Sequence, residues 1–435
     1  MDIILNPMLL ATIVMIVLCL LHFDVFFSIV ASVFVCIFLS GTNISDGFWL
    51  FINGMGNNNE IVYGLLVMGM LGVLMQEYRM GEVLVPRLSR LIGKKIWLIP
   101  IVVCIMAILS ETVVLIYVTF VPIFIPPFMA LFNKYKTDRR MLATVINAGL
   151  QIGYVCIPVG IGVVYMGIVQ NAIIDNGLDV ELSQVFPANI PILIALIVAV
   201  IAAIVIFRKP RDYGEVADAE LDVPTAEVPR MRFQHWMILA SMLVIVVVLF
   251  ITSNIPLSAT AGIAFLILTG VIRPSKLSNH FAASVKEMAY GCVVLMAAGG
   301  FGSVTREIGN LDSLVAAVSN MLGGSQFFGA LIMLLLGLGV TMGIGTSFGT
   351  VPIVATILVP LGLNLGMSPA AIIMLVAAAG ALGDSGSPAS ENTLVCSSVF
   401  NSDGKHDHIK DTCIPAFLCV NIPIVVICTI AACFM

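Results

Sequence analysis

Gly383-Asp384-Ser385-Gly386-Ser387-Pro388-Ala389-Ser390-Glu391-Asn392-Thr393 is the stretch on which the reading of this chain turns. Two carboxylates, three serines, an asparagine and a threonine lie between apolar flanks. In a soluble protein this would be an ordinary aqueous loop. Here it sits in a chain of 435 residues that is 60% hydrophobic and 10% charged, with a mean hydropathy of +1.10. A soluble domain would be about a quarter charged. Apolar runs of about 20 residues, the length a helix needs to cross the hydrocarbon, recur from end to end. They are continuous rather than alternating, which excludes a β-barrel. Asp2 stands at the start with no Lys or Arg beside it, unlike a signal peptide, so the first run is expected to stay in the mature protein.

The polar stretch has a counterpart. At an offset of 230 residues the chain matches itself without gaps. Gly69 and Gly72 pair with Gly299 and Gly302, Glu77 with Glu307, Leu84-Val85 with Leu314-Val315, and Ser89 with Ser319. Ile92-Gly93 pairs with Leu322-Gly323, and Val121-Pro122-Ile123 with Val351-Pro352-Ile353. Gly153–Pro158 falls on Gly383–Pro388, both of the form G-x-x-x-x-P. Glycines and prolines in register over about ninety residues indicate a duplicated unit. The units are 1–207 and 235–435, joined by the charged, Pro-containing linker 208–234.

The first unit reads as spans near 7–20, 24–40, 60–78, 141–170 and 187–207, plus a long run at 96–133. Ser110-Glu111-Thr112 interrupts that run, and Pro122, Pro126 and Pro127 follow. It is expected to be a re-entrant hairpin, with 325–362 as its mate. The interrupted helices are 141–170 and 369–400. Five crossings per unit, an odd number, would invert the second unit. Basic residues are expected to stay cytoplasmic. With the linker on that side, 19 of the 20 Lys and Arg fall there, Arg306 being the exception. Both termini then face outward from a bacterial inner membrane. The expected fold class is therefore an all-α polytopic membrane protein of two inverted repeats, each with about five transmembrane helices and a hairpin.

Non-helical backbone survives at bilayer depth only where it lines a cavity or is buried in protein. Four such places are expected: the hairpin tips Ser110–Thr112 and Thr341–Ser347, and the helix breaks Gln151–Gly160 and Gly383–Asn392. Broken helices expose N-termini that favour anions and carbonyls that favour cations. Asp384 and Glu111 are intramembrane carboxylates, functional by default; the blander readings are a helix cap and a bond closing the hairpin. Glu111 could balance a cation or a substrate ammonium, or carry a proton. Asn147, Gln151 and Tyr154 offer neutral partners, or plain helix–helix bonds. The candidate Na+ ligands are Ser110, Thr341, Gly343, Asp384, Ser385 and Thr393. The candidate solute contacts are Glu111, Thr112, Asn147, Gln151, Tyr154, Thr346, Ser347, Ser387, Ser390, Glu391 and Asn392.

Other features read as structural. The ten cysteines are scattered with no C-x-x-C pair and read as small hydrophobes. Glu77 and Glu307 read as caps or interfacial charges, and His22 and Asp24 as a break between spans. His406-Asp407-His408 looks like a metal cluster but reads as a cytoplasmic loop. No Walker A pattern suggests an ATP-driven pump, and no basic patch with interleaved aromatics suggests nucleic acid. No enzymatic activity and no cofactor are expected.

Ala379 to Leu394, followed by Asn401-Ser402-Asp403-Gly404-Lys405-His406-Asp407-His408-Ile409 and Thr412, resembles the NhaC-type Na+/H+ antiporter superfamily, and within it the YuiF-like branch. The wider ion transporter superfamily implies inverted repeats with re-entrant hairpins, a scaffold, a mobile elevator domain and a homodimer. Ser110-Glu111-Thr112 also resembles the Ser-Asn-Thr hairpin motif of divalent anion–sodium symporters. Glu111 in place of Asn argues against a dicarboxylate. The expected activity is transport of a small polar solute, an amino acid, coupled to Na+ or H+. The alternative is Na+/H+ exchange without an organic substrate.

Overall fold

A computed structural model describes residues 6–21, 23–80, 83, 98–114, 121, 125, 129–213, 230–252, 254–310, 324–344, 346–388 and 390–435. Among the described residues there are helices and turns but no strand. Among the described residues six helices are long and apolar enough to cross a membrane, or seven if one bent pair counts as a span.

Helices α1 (Pro7–Leu20) and α2 (Val25–Ser40) pack on each other. The Asp24 carboxylate starts α2 by accepting from the Phe27 amide at 3.3 Å. Next comes α3 (Ile44–Gly54), which the hydropathy reading left out because Ser45, Asp46 and Asn53 dilute its apolar face. One tight turn joins it to α4 (Asn59–Glu77), so the third span is a 34-residue segment from Ile44. After α5 (Ile99–Leu109) the chain widens into a π turn, Ser110–Val114. Helix α6 (Arg139–Gln151) likewise ends in a π turn, Ile152–Cys156, and α7 (Ile161–Asp175) leaves it at a 59° bend. Gly160 closes that break at φ 66 and ψ −129, a conformation cheap only for glycine.

Then follow α8 (Leu182–Ala188), α9 (Ile190–Ile206), α10 (Phe233–Thr252), α11 (Ile255–Leu268) and the long α12 (Leu277–Ile308). Helix α13 (Gln326–Ile344) is followed by α14 (Ser347–Asn364), which Thr346 precedes as N-cap. They pack on each other and on α15 (Pro369–Gly386), which is buried from Ala371 onward. The run Ala377-Ala378-Ala379-Gly380-Ala381 lets its neighbours approach closely, the usual packing device where lipid supplies no hydrophobic drive. After the break Ser387–Ser390, α16 (Glu391–Phe400) continues, and α17 (Ile422–Ala432) follows two further π turns.

The breaks are narrower than the sequence suggests. Ser110–Thr112 is a widened helical turn, Thr341–Ile344 is still helical, and so are Gln151–Cys156 and Asp384–Gly386. Among the described residues of these stretches only 157–160, 346, 387, 388 and 390 leave the helix. Pro122, Pro126 and Pro127 lie outside the described residues. So do His22, Cys19's side chain, Gly345, most of the linker (214–229), and the repeat matches at 84–93 and 314–323.

Three of the basic segments assigned to one membrane side come together. Buried Arg139 forks onto Asp403 at 2.7 and 2.6 Å, donates to the Phe400 carbonyl at 2.6 Å, and lies 4.2 Å over the Tyr213 ring. Arg211 reaches Asp411 at 2.8 Å, Lys136 reaches Asp212 at 2.6 Å, and Lys405 donates to the Tyr213 carbonyl. Hydrogen bonds from Arg139 hold the Asp403 carboxyl below the usual range. Its contribution to stability is therefore present above its unfolded value and is lost only as pH falls through the lower folded one. Asp403→Asn should lower the unfolding temperature at pH 7 and remove the part of the acid sensitivity that lies in that window, as read by thermal unfolding in detergent across pH.

A candidate ion and solute site at the helix breaks

Asp384 lies in the last turn of α15, 2% exposed. Its Oδ2 accepts from the Tyr154 hydroxyl at 2.7 Å and from Ser347 Oγ at 2.6 Å, and those two hydroxyls lie 3.0 Å apart. The carboxylate thus gathers the π turn after α6, the first residue of α14 and the end of α15. Asp384 Oδ1 has no donor. Glu111, fully buried in the π turn after α5, has no partner on either oxygen, and lies near enough to Asp384 for their charges to interact. Gln151 donates to the Ala381 carbonyl at 2.7 Å and leaves its own Oε1 unmet; Ser385 Oγ is also unmet.

The two π turns pack on each other, as do α14 and α15, and Tyr154 links the two pairs through Asp384 and Ser347. Glycines make the approach possible. A Cβ on Gly153 would stand 2.5 Å from Glu111 Cβ, and one on Gly383 would stand 2.4 Å from the Thr341 carbonyl carbon. Those contacts correspond under the offset of 230, since 111 maps to 341 and 153 to 383. The Tyr154–Asp384 and Gln151–Ala381 bonds each join residues 230 apart.

The unmet atoms define what the site can hold. Glu111 Oε1 and Oε2, Gln151 Oε1, Asp384 Oδ1 and Ser385 Oγ are all oxygens able to accept. A buried acceptor without a donor is costly, and a buried carboxylate more so. Such a set is satisfied by a hard monovalent cation, an ammonium group, or protons on the carboxyls. Asn392 Nδ2 is an unmet donor nearby in sequence, and the starts of α14 and α16 supply N-terminal amides suited to an anion.

The remaining candidates are placed as follows. Ser390 Oγ bonds the Asp384 carbonyl at 2.7 Å, Ser387 Oγ bonds Met342 O at 2.8 Å, and Thr393 Oγ1 bonds Ser387 O at 2.6 Å, so these three shape the break. Thr341 bonds Gly337 O at 2.6 Å inside its own helix. Ser110 and Thr112 also bond their own helix, at Ala107 O and Ile108 O. Asn147 turns to Ala143 O and Cys396, toward α16. Thr346 caps α14 without a side-chain bond, Gly343 lies in the last turn of α13, and the Glu391 side chain is exposed.

Two residues escaped the sequence reading. Tyr165 packs edge-on against Tyr154, with centroids 5.1 Å apart, and donates to Ala377 O at 2.6 Å. Nothing in its apolar run marks it. Asn421 is fully buried with both amide atoms unmet, and its Nδ2 would touch a Cβ on Gly386 at 2.8 Å. A lone asparagine in the apolar run from Ile414 was a visible signal. Among the described residues no group of three or more His, Cys, Asp or Glu could hold a metal ion.

A bundle of apolar helices with carboxylates and unmet oxygens sealed at helix breaks defines a multi-pass membrane transporter. Two solved transporters share this fold: MtrF of Neisseria gonorrhoeae, from a class of antimetabolite efflux pumps, and YdaH of Alcanivorax borkumensis. The first has a TM-score of 0.64 at 16% identity, over 88% of this chain and 83% of that one. The second has 0.64 at 15%, over 88% and 87%. In sequence, the model of the Na+/H+ antiporter family matches residues 166–432, and a second Na+-H+ antiporter family model matches 6–92. YuiF of Bacillus subtilis, provisionally called an amino acid transporter, is 34% identical over 88% of this chain and 89% of its own. A membrane protein of Vibrio parahaemolyticus is 35% identical over 98% of this chain and 99% of its own. The chain belongs to the Na+/H+ antiporter family, of NhaC type.

Proposed function

We propose that this protein is a secondary active transporter that couples a Na+ or H+ gradient to movement of a small polar solute, an amino acid, across the bacterial inner membrane. The observation that carries the reading is the set of unmet buried oxygens around Asp384 and Glu111. A cation satisfies Asp384 Oδ1, Ser385 and their neighbours, while Glu111 faces an ammonium group or a second cation. The helix starts at Ser347 and Glu391, with Asn392, suit a substrate carboxylate. A zwitterion matches both polarities.

The architecture we propose has two inverted units, 1–207 and 235–435, with hairpins near 96–133 and 325–362 moving with the broken helices past a scaffold of outer spans, in a homodimer. Both termini face outward and the 208–234 linker is cytoplasmic. Bonds between residues one offset apart support the repeat, because a two-fold axis brings equivalent residues face to face. The convergence of Arg139, Arg211 and Lys405 supports the assignment of their segments to one side.

The second reading is Na+/H+ exchange alone, favoured by two interacting carboxylates that could alternate between Na+ and proton. Purified protein in vesicles separates them. Labelled amino acid uptake driven by a Na+ or proton gradient is expected. If none of the twenty common amino acids is taken up, and Na+ alone moves protons, the exchange reading replaces it.

A further inference from the structure

A cavity of about 390 Å³ opens where the end of α4 meets the start of α10, away from the helix breaks. It is lined by Glu77, Tyr78 and Arg79 on one side and by Arg230, Arg232 and His235 on the other. Both helices are apolar and stop here, so the cavity lies where hydrocarbon gives way to headgroups.

His235 is buried and joins the two sides. Its Nδ1 accepts from the Arg232 amide at 3.0 Å, and its Nε2 donates to the Tyr78 carbonyl at 2.9 Å, which only accepts. The ring is therefore neutral and acts as a brace. The Tyr78 hydroxyl donates to the Val271 carbonyl at 3.2 Å, tying in the turn after α11.

The charge of the lining is lopsided. Three arginines stand against one carboxylate. That carboxylate is engaged on its other side, since Glu77 lies 3.7 Å from Lys276 Nζ and 3.5 Å from His280 Nδ1. Among the described residues Arg230 and Arg232 form no ion pair. Arg79 has a φ of 51, a left-handed turn just past α4 that glycine takes at least cost. An arginine held there against that preference points to its side chain, not the turn, as the reason for the residue.

We propose that this cavity binds the phosphate headgroup of an anionic phospholipid, whose acyl chains lie along the outer face of α10. Basic pockets between transmembrane helices at the membrane surface take such headgroups. Phe233, Trp236, Leu243, Val247 and Ile251 are exposed along α10, beginning beside Arg232 and running into the bilayer. An aromatic pair in the first turn suits the headgroup layer. A soluble phosphate would satisfy the arginines and leave that apolar face bare; a phospholipid covers both. The bound lipid ties the end of α4 to the start of α10, whatever solute or ion the carrier moves.

Native mass spectrometry of the purified protein in detergent, titrated with phosphatidylglycerol or phosphatidylcholine, reads the site. Wild type is expected to retain one phosphatidylglycerol per chain where phosphatidylcholine is already lost. Arg230→Gln with Arg232→Gln should weaken that binding at least about tenfold. The single Arg230→Gln should lose part of it, and stands in if the double variant does not fold. Arg208→Gln with Lys209→Gln removes the same charge from exposed residues that do not line the cavity, and should leave binding unchanged. An equal loss in both double variants overturns the site, since diffuse surface charge then suffices. So does a wild type with no preference between the two lipids. Displacement of the lipid by soluble glycerol phosphate at a similar concentration overturns it in favour of a free phosphate. A pocket variant that keeps its lipid but loses a dimer overturns it in favour of a second copy of the chain.

Discussion

Asp384→Asn should reduce Na+-dependent transport by at least about 100-fold, equivalent to roughly 2.7 kcal/mol. The substitution keeps the side chain's shape and removes its charge. The two hydroxyls that converge on Oδ2, from Tyr154 and Ser347, can still find an oxygen there. What disappears is the anionic Oδ1, the unmet atom that a cation would satisfy. Tyr154→Phe removes one of the two donors and should cost less, about tenfold. Asp384→Glu keeps the charge but pushes it a methylene further, into a packed wall, and should fall between. Labelled Na+ uptake by wild type and the three variants, at matched protein per vesicle, reads the series. If Asp384→Asn transports within twofold of wild type, the ion site lies elsewhere.

Gly383→Ala should also be damaging although it changes no polar atom. The added methyl would stand 2.4 Å from the Thr341 carbonyl carbon and 2.5 Å from its oxygen, both backbone. No side chain there can swing aside, so α13 must retreat from α15. Overpacking of this kind costs about 3 kcal/mol, and it displaces the element that carries the start of α14 and Ser347. Transport is expected to drop at least about tenfold, with a lower unfolding temperature. Gly153→Ala, whose methyl would meet Glu111 Cβ at 2.5 Å, should behave similarly. Gly291→Ala is the control. Its methyl meets nothing within 4 Å, and alanine favours the helix. Equal transport by Gly383→Ala and Gly291→Ala would show that close approach at the break is dispensable.

Much of this was legible in the residues, for reasons that differ from place to place. Membrane character follows from apolar length alone, and the breaks from Gly and Pro in register at the offset. Asp384 and Glu111 stand out because charge in an apolar run is rare. Their partners were less legible: Tyr154 was one of several polar candidates, and only packing selects it over Asn147, which turns to α16. The hydroxyls of Ser110, Thr112 and Thr341 suggest ligands by type, yet they bond carbonyls one turn back. A short hydroxyl side chain in a helix always has that local alternative, and sequence cannot say which it takes. Helix α3 was missed because its polar residues dilute the hydropathy while its buried face, Gly47, Phe51 and Gly54, is narrow.

The hydrogen bond between positions 154 and 384 has a historical consequence. On the duplication reading, an ancestor half this length would have paired with a second copy of itself, and this position would have faced its own twin. Two aspartates there would have repelled unless they trapped a proton or an ion; two tyrosines would have carried no charge at all. On that same reading, fusion into one gene would have let the twins diverge, so that a phenol now faces a carboxylate. A machine with identical halves runs equally well from either face of the membrane. One that is chemically lopsided at its centre of symmetry can hold its cargo more tightly when open to one compartment than to the other.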